Sequence, residues 1–221
     1  MIPVTLQPEP ENFDVLVRQP GRRYLETVRK RNATPKFKGR NKHWKKASGA
    51  LRKAYKRICA YTCVYLPQSP NSESDSGSAD HFLPKSLYPE LAYEWNNFRL
   101  AQSKVNSHKG DSTDVLDPFQ VEAGWFVLDF PSCLVKAGLQ LPQPMMDRIN
   151  RTIDILKLND DDTFVDRRYE IMSAYSDGEI ALSSLEKRYP FLAVEIVRQG
   201  IEETASTLFK RRTMLSDHNA H

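Results

Sequence analysis

The chain has 221 residues, of which 40% are hydrophobic, so it can bury a substantial core. This composition is not that of a disordered protein. No apolar stretch approaches the roughly 20 residues that span a bilayer, and the N-terminal residues lack the basic and apolar regions of a secretory signal. Three cysteines are too few, and odd in number, for a disulfide-stapled protein, so we expect a reducing, cytoplasmic setting.

The formal net charge of +4 conceals a strong asymmetry along the chain. Residues 21–57 contain 15 Lys or Arg and a single acid, Glu26, so this segment carries +14 and the remainder carries −10. A basic block on an otherwise acidic chain is typical of proteins that bind a polyanion, and nucleic acid is the commonest one. A solvated helix face is the alternative explanation of the same charges.

The N-terminal part predicts an irregular lead-in over the first 20 residues, a short helix over 21–32 and a longer helix over 41–58. Apolar side chains recur in the longer helix at three- and four-residue spacing, which predicts one buried stripe. The stripe consists of Trp44, Ala47, Leu51, Ala54, Tyr55 and Ile58. The rest of this helix is basic, and we expect its cations to bind a phosphate backbone without reading sequence. These cations are Lys42, Lys45, Lys46, Arg52, Lys53 and Lys56.

The middle of the chain alternates short predicted elements. Strands are predicted over 60–66, 78–83 and 124–130. A polar loop over 67–77 separates the first two strands, a helix is predicted over 89–97, and a turn or second helix over 104–109. After Pro144 helical periodicity dominates, and helices are predicted over 145–158, 163–175, 179–188 and 191–212.

The residues that carry chemistry lie between Ser78 and Asp111. They comprise the pair Asp80-His81, then Asn97 at the end of Trp-Asn-Asn, then Asn106 in Asn-Ser-His-Lys-Gly. Phosphodiester hydrolysis needs a base that activates water, a metal that neutralises the phosphate and cations that hold the backbone. His81 is the candidate base, because an imidazole titrates near neutral pH. Asp80 and Asn106 supply the oxygen ligands that Mg²⁺ or Mn²⁺ prefers.

This set and its order resemble the ββα-metal motif of HNH endonucleases. The resemblance implies that Asn97 holds the His81 ring in its productive orientation. Lys109 and Lys85 are further candidates for contact with phosphate. Local turn capping by Asp80 and the two asparagines is the structural alternative, which the preceding basic segment makes less favoured.

His108 has two interpretations. It follows Asn106 by two residues, so on a regular helix it would point to a different side. It is an additional metal ligand if the local backbone is irregular, and otherwise a surface histidine, which is the favoured interpretation.

The cysteines mark a departure from many HNH nucleases, which brace the motif with a structural zinc held by two Cys-x-x-Cys pairs. Here Cys59 and Cys63 form a first pair, but Gln102 and Lys104 stand where the second pair is expected. Two thiolates cannot complete a tetrahedral zinc site, so structural zinc is not expected and both cysteines are predicted to be buried.

A narrower resemblance extends over most of residues 40–175 and is strongest over 78–131. The segments CAYTC, DHFLPKS, YPELAYEWNNFRLAQSKVNSHKGD and GWFVLDFPSCLV are similar to the PtuB-like HNH nucleases of bacterial Septu defence systems, including those of some retrons. The resemblance implies a role in anti-phage defence and a partner, the PtuA-like ABC-type ATPase. The retron version implies in addition a reverse transcriptase and its RNA–DNA product.

These observations predict an α+β protein with a central ββα-metal core. Its regions are a lead-in and basic helical arm (1–58), the nuclease core (59–140) and a C-terminal helical region (141–221). The predicted activity is metal-dependent cleavage of nucleic acid, with DNA as the default substrate and an RNA such as tRNA as the alternative. A non-catalytic nucleic-acid-binding or scaffold protein on a decayed HNH fold is the rival interpretation.

Overall fold

A computed structural model describes residues 1–67, 77–159 and 164–205 of the chain. Within these ranges the protein combines helices with two small antiparallel sheets, which confirms the predicted α+β class. The helices are α1 (Gln19–Lys30), α2 (Ser48–Ala54), α3 (Ser103–Lys109), α4 (Gln143–Leu156), α5 (Asp166–Ser176), α6 (Leu182–Arg188) and α7 (Pro190–Gln199). The strands are β1 (Gly77–His81), β2 (Phe98–Gln102), β3 (Phe126–Asp129) and β4 (Leu134–Ala137).

The basic arm is less regular than the single helix predicted over 41–58. Two 3₁₀ turns, Gly39–Asn41 and His43–Ala47, precede α2. Lys56 and Arg57 then adopt left-handed φ values of 50° and 62°, which a continuing right-handed helix does not allow. The predicted stripe is still the buried side of the arm, with at most 9% exposure at Trp44, Ala47, Leu51 and Tyr55.

The strand predicted over 60–66 is wrong, because the chain makes a tight loop there. The N–H of Cys63 donates to the carbonyl of Cys59 at 2.9 Å, and Cys63 has a left-handed φ of 55°. Such a turn interrupts an extended strand. The N–H of Ala60 donates to the carbonyl of Leu100 at 2.8 Å and attaches this cysteine loop (residues 59–63) to β2.

The helix predicted after β1 is also wrong, since two separate 3₁₀ turns, Pro89–Leu91 and Trp95–Asn97, take its place. Both Tyr93 and Trp95 are buried, and side chains two residues apart on a helix do not share a face. The indole N–H of Trp95 donates to the carbonyl of Gln7 at 2.8 Å, so this segment also holds the N-terminal lead-in against the core.

The C-terminal region is helical as predicted, in α4 to α7. α7 ends at Gln199, and the next residue, Gly200, has a left-handed φ of 63°, which suits a residue without a side chain. Residues 68–76 of the predicted polar loop and 206–212 of the last predicted helix lie outside the described residues. In the described part of the chain, no helix has both the length and the apolarity needed to cross a membrane.

One hydrophobic cluster includes residues from all three predicted regions, among them Phe13, Leu100 and Ile196. The two small sheets therefore share a core with the helices around them. The division of the chain at residues 58 and 140 stays a prediction.

A buried ion pair stabilises β2. Arg99 donates from Nε and Nη2 to the two carboxylate oxygens of Asp117 at 2.8 and 2.7 Å, and its guanidinium lies 3.5 Å from the centre of the Phe119 ring. The two charged side chains are 3% and 10% exposed.

Asp117→Asn is expected to lower the free energy of unfolding by about 3–5 kcal/mol, because it leaves the Arg99 charge buried without a counter-charge. Urea unfolding followed by circular dichroism measures the change. The control is Asp114→Asn, which breaks an ion pair with Arg151 that is about two-thirds exposed on both sides, and it should change stability by less than about 1 kcal/mol. Equal losses in the two variants would contradict the assigned role of the buried pair.

Candidate functional site

β1, β2 and α3 follow one another as a ββα unit that contains the predicted site residues. The strands pair antiparallel, with Asp80 opposite Arg99 and His81 opposite Phe98. Neighbouring residues on a strand point to opposite faces, so the side chains of Asp80 and His81 lie on opposite sides of this small sheet. The site therefore has a carboxylate side and an imidazole side.

On the carboxylate side, Asp80 is 2% exposed and both of its oxygens accept hydrogen bonds. The ammonium of Lys109 donates to Oδ1 at 3.1 Å, and the hydroxyl of Tyr61 donates to Oδ2 at 2.5 Å. Burial and the adjacent Asp80 charge raise the pKa of Tyr61 well above its usual value, so the phenol stays protonated and remains a donor. The cysteine loop and α3 together hold this carboxylate.

On the imidazole side, His81 is packed among aromatic rings. Its ring centre lies 4.8 Å from that of Trp44 and 5.2 Å from that of Phe98, both in edge-to-face contact. Its Nε2 lies 2.9 Å from the carbonyl oxygen of Ala92. A carbonyl can only accept, so Nε2 carries the proton and Nδ1 carries the lone pair. The ring therefore offers one nitrogen that can take a proton.

The pKa of His81 is lowered to about 3, and burial is the largest cause. The positive charge of Lys85 also lowers this pKa, and the hydrogen bond to Ala92 raises it by a smaller amount. The imidazole is therefore neutral at physiological pH. The neutral form is the one that can accept a proton from water.

Asn97 is buried, and its side-chain amide organises the segment between β1 and β2. Its Oδ1 accepts from the N–H of Leu83 at 2.8 Å, and its Nδ2 donates to the carbonyls of Leu83 and Leu91 at 3.0 and 3.2 Å. We expected Asn97 to orient the ring of His81, but the ring's hydrogen bond goes to the carbonyl of Ala92. Asn97 is connected to this contact indirectly, because its side chain donates to the carbonyl of Leu91, the residue directly before Ala92.

Asn106 lies on α3 against the start of β1, where its Nδ2 donates to the hydroxyl of Ser78 at 2.9 Å. Ser78 and Asp80 are two residues apart on one strand, so their side chains share a face. The structure therefore places Asn106 on the same side of β1 as the Asp80 carboxylate.

His108 is neither a partner of Asp80 nor an exposed surface histidine. It is half-buried, and its Nδ1 lies 3.1 Å from the carbonyl oxygen of Leu156, at the end of α4. A carbonyl accepts, so Nδ1 donates, and the side chain joins α3 to α4. Helical spacing explains the outcome, because residues two apart on α3 point to different sides.

Asp80 and Asn106 are the side chains that could hold a metal ion. No group of three or more His, Cys, Asp or Glu side chains with metal-binding geometry occurs among the described residues. Two oxygen donors from the protein would suit Mg²⁺, an ion that keeps several waters and takes oxygen ligands. The donor chemistry fits Mg²⁺ or Mn²⁺, although the ammonium of Lys109 lies at the Asp80 carboxylate.

The predicted nucleic-acid contacts fall into three groups. Side chains that are exposed along the arm are Lys45, Lys46, Lys53 and Lys56. The half-buried ones are Lys42, Arg52 and Lys85. Arg52 donates to the carbonyl of Gly77 at 2.7 Å, which fastens α2 to β1, and the ammonium of Lys85 lies 5.6 Å from the centre of the Trp44 ring. Lys109 is buried in its ion pair with Asp80, and its contact with phosphate stays a prediction.

Sequence reasoning did not identify three groups that shape the site: the Tyr61 hydroxyl, the Trp44 ring and the Ala92 carbonyl. Tyr61 stands between two cysteines, and its position there was the available signal. Trp44 was predicted to be buried, but its contact with His81 depends on how the arm folds back. No sequence signal identifies a backbone carbonyl as a histidine partner.

The cysteines are buried as predicted. Cys59 and Cys63 are 0% and 1% exposed and are free thiols, and the Cys59 sulfur accepts from the N–H of Gln102 at 3.3 Å. This contact ties the cysteine loop to the end of β2.

Comparison with known proteins gives one informative similarity. No protein-family model matches the chain. The chain is 29% identical to the Septu protein PtuB of Bacillus thuringiensis over 103 residues, which make up 47% of this chain. The match spans 38% of the length of that relative. The similarity supports a relationship between this chain and the Septu-related proteins.

Proposed function

We propose that this chain is a metal-dependent endonuclease of the HNH type that hydrolyses phosphodiester bonds in nucleic acid. The observation that supports it best is the position of His81 next to Asp80 at the end of β1, where Nε2 hydrogen-bonds to the Ala92 carbonyl at 2.9 Å and Nδ1 is therefore the nitrogen that can accept a proton. Asn106, whose Nδ2 donates to Ser78 on the same side of β1 as the carboxylate, would add a second oxygen ligand. DNA is the default substrate in this proposal, and a structured RNA such as tRNA is the alternative.

The arm supplies a path for the backbone of the nucleic acid. Trp44 contacts His81, and the next two residues, Lys45 and Lys46, are exposed. The ammonium of Lys85 lies 5.6 Å from the centre of the Trp44 ring, within cation–π distance. A phosphate backbone bound along these lysines would therefore pass close to the imidazole.

In the proposed reaction, Nδ1 of His81 takes a proton from the attacking water. The Ala92 carbonyl keeps the ring in place and stabilises the imidazolium that forms. Asp80 and Asn106 would hold the divalent cation, which when bound neutralises charge that builds up on the phosphate. Asn97 keeps the connection between the strands in the shape that presents Ala92 to the ring.

The relationship to a Septu protein supports a role in anti-phage defence. We extend the proposal to a complex with a PtuA-like ABC-type ATPase, and, for a retron setting, with a reverse transcriptase and its RNA–DNA product. α7 exposes Val194 and Val197, at 45% and 53%, which are apolar side chains that a protein partner would cover.

A second candidate function is nucleic-acid binding without catalysis. Two observations favour it: Lys109 already neutralises the Asp80 carboxylate, and His81 is only 5% exposed. In this alternative the exposed lysines would still bind phosphate, but no metal would reach Asp80.

The proposed function predicts cleavage that depends on a divalent metal. Plasmid DNA, single-stranded DNA and total tRNA are incubated with the protein in Mg²⁺, in Mn²⁺ and in EDTA, each with and without the ATPase. We expect cleavage of at least one substrate with Mg²⁺ or Mn²⁺ and none in EDTA. Cleavage that persists in EDTA contradicts the metal requirement. Binding without cleavage in every condition supports the second candidate.

A further inference from the structure

The Asp80 carboxylate is bound by a cation that belongs to the chain itself. The ammonium of Lys109 lies 3.1 Å from Oδ1 of Asp80 and 2.9 Å from the carbonyl oxygen of His81. Its side chain is fully buried, and that of Asp80 is 3% exposed. Lys109 therefore bridges the two residues of the Asp-His pair from the end of α3.

Electrostatics explains why Lys109 and Asp80 are buried together. A carboxylate that is buried without a counter-charge is strongly destabilising, and so is a buried ammonium. Each charge compensates the other, and the His81 carbonyl accepts a second hydrogen bond from the ammonium. In this arrangement the site is stable without a metal ion.

The same arrangement is incompatible with a divalent cation at Asp80. A magnesium ion sits about 2.0–2.1 Å from a carboxylate oxygen, which would place two positive charges within a few ångströms of the ammonium. Their repulsion is twice that between two unit charges at the same distance, and the low-dielectric surroundings strengthen it. The carboxylate can hold the ammonium or the metal ion, but not both in this geometry.

We propose that Lys109 is an internal competitor for the metal site, so that loading a divalent cation requires its ammonium to leave Asp80. This inference rests on the proposed function, since it takes Asp80 as a metal ligand. Lys109 is the last residue of α3, and Gly110 follows with a left-handed φ of 52°, so the inference places the rearrangement at the end of this helix. The metal-free protein thereby keeps the stable arrangement in which Lys109 is paired with Asp80.

The test measures metal binding directly. Mn²⁺ is titrated into wild type and Lys109→Met, and free Mn²⁺ is read from its electron paramagnetic resonance signal. The inference predicts that Lys109→Met binds Mn²⁺ at least tenfold more tightly than wild type, and that adding Asp80→Asn abolishes the gain. Lys187→Met, which removes an exposed charge on α6, is the matched control and should leave the affinity unchanged.

Thermal unfolding gives the second readout. Without metal, Lys109→Met should melt below wild type, because Asp80 loses its counter-charge, and Mn²⁺ should raise its melting temperature more than it raises that of wild type. If Lys109→Met does not fold, Lys109→Gln replaces it, since an amide can donate to Asp80 without a charge. Unchanged or reduced Mn²⁺ affinity in a folded variant overturns the inference and leaves the nuclease proposal standing. Absence of Mn²⁺ binding in wild type and variants alike overturns both.

Discussion

Replacing His81 with alanine is expected to lower the rate of nucleic-acid cleavage by about 10²–10⁴-fold, the usual contribution of a general base. The reason is geometric. The hydrogen bond to the Ala92 carbonyl assigns the proton to Nε2 and leaves Nδ1 as the acceptor, and burial keeps the ring neutral. Alanine removes that acceptor and leaves the exposed lysines of the arm in place, so substrate affinity should be retained. Single-turnover cleavage and fluorescence anisotropy measure the two quantities.

The control for this experiment is His43→Ala. His43 also lies in the arm and packs against an aromatic ring, that of Tyr93. It is not part of the Asp80-His81 pair. His43→Ala should cleave within about threefold of wild type, since the half-buried His43 ring is not one of the groups assigned to the reaction. Circular dichroism confirms that both variants are folded at the assay temperature. Equal rates for wild type and His81→Ala would exclude His81 as the base.

Replacing the four exposed lysines of the arm with glutamine is expected to weaken nucleic-acid binding and to flatten its dependence on salt. These residues are Lys45, Lys46, Lys53 and Lys56. Each phosphate contact contributes about 0.9 to the slope of log affinity against log salt on duplex DNA, so the loss of four contacts lowers the slope by up to about 3.6. Between 50 and 200 mM salt, wild type should therefore lose about 100-fold more affinity than the variant.

A second quadruple variant controls for net charge. It replaces four cations that are exposed elsewhere, Arg148, Lys157, Lys187 and Arg188, with glutamine. Its net charge equals that of the arm variant, so a general electrostatic effect would appear in both. The arm is the binding surface only if the arm variant has the lower slope. Salt-insensitive binding by wild type would contradict the role of the arm altogether.

The residues of the site were predictable from the sequence to the extent that their chemistry depends on local spacing. Asp80 and His81 are neighbours on a strand, and Asn106 follows on a helix that begins directly after the second strand, so a local ββα unit brings them together. Their metal-binding and catalytic roles stay predictions. The buried stripe of the arm was equally predictable, because helical spacing places Trp44, Ala47 and Leu51 on one side even where the helix is partly 3₁₀.

Predictions failed where long-range contacts outweigh local preference. The aromatic and β-branched composition of residues 60–66 predicts a strand, but the hydrogen bond from Ala60 to Leu100 and the left-handed Cys63 make a loop that delivers Tyr61 to Asp80. Periodicity after β1 predicts one helix, but burial of both Tyr93 and Trp95 requires a break. In both cases the segment packs against a part of the chain distant in sequence.

The sequence by itself determined the α+β class, the basic arm and the residue types available for chemistry, because these depend on composition and on short, regular spacings. Only the tertiary structure decided what those residues contact. Lys109, a candidate for phosphate contact, forms a buried ion pair with Asp80, and the His81 ring hydrogen-bonds to the Ala92 carbonyl and not to Asn97. A buried charge must find its counter-charge, and a buried ring nitrogen its acceptor, wherever the fold places one, and spacing along the chain does not encode that position.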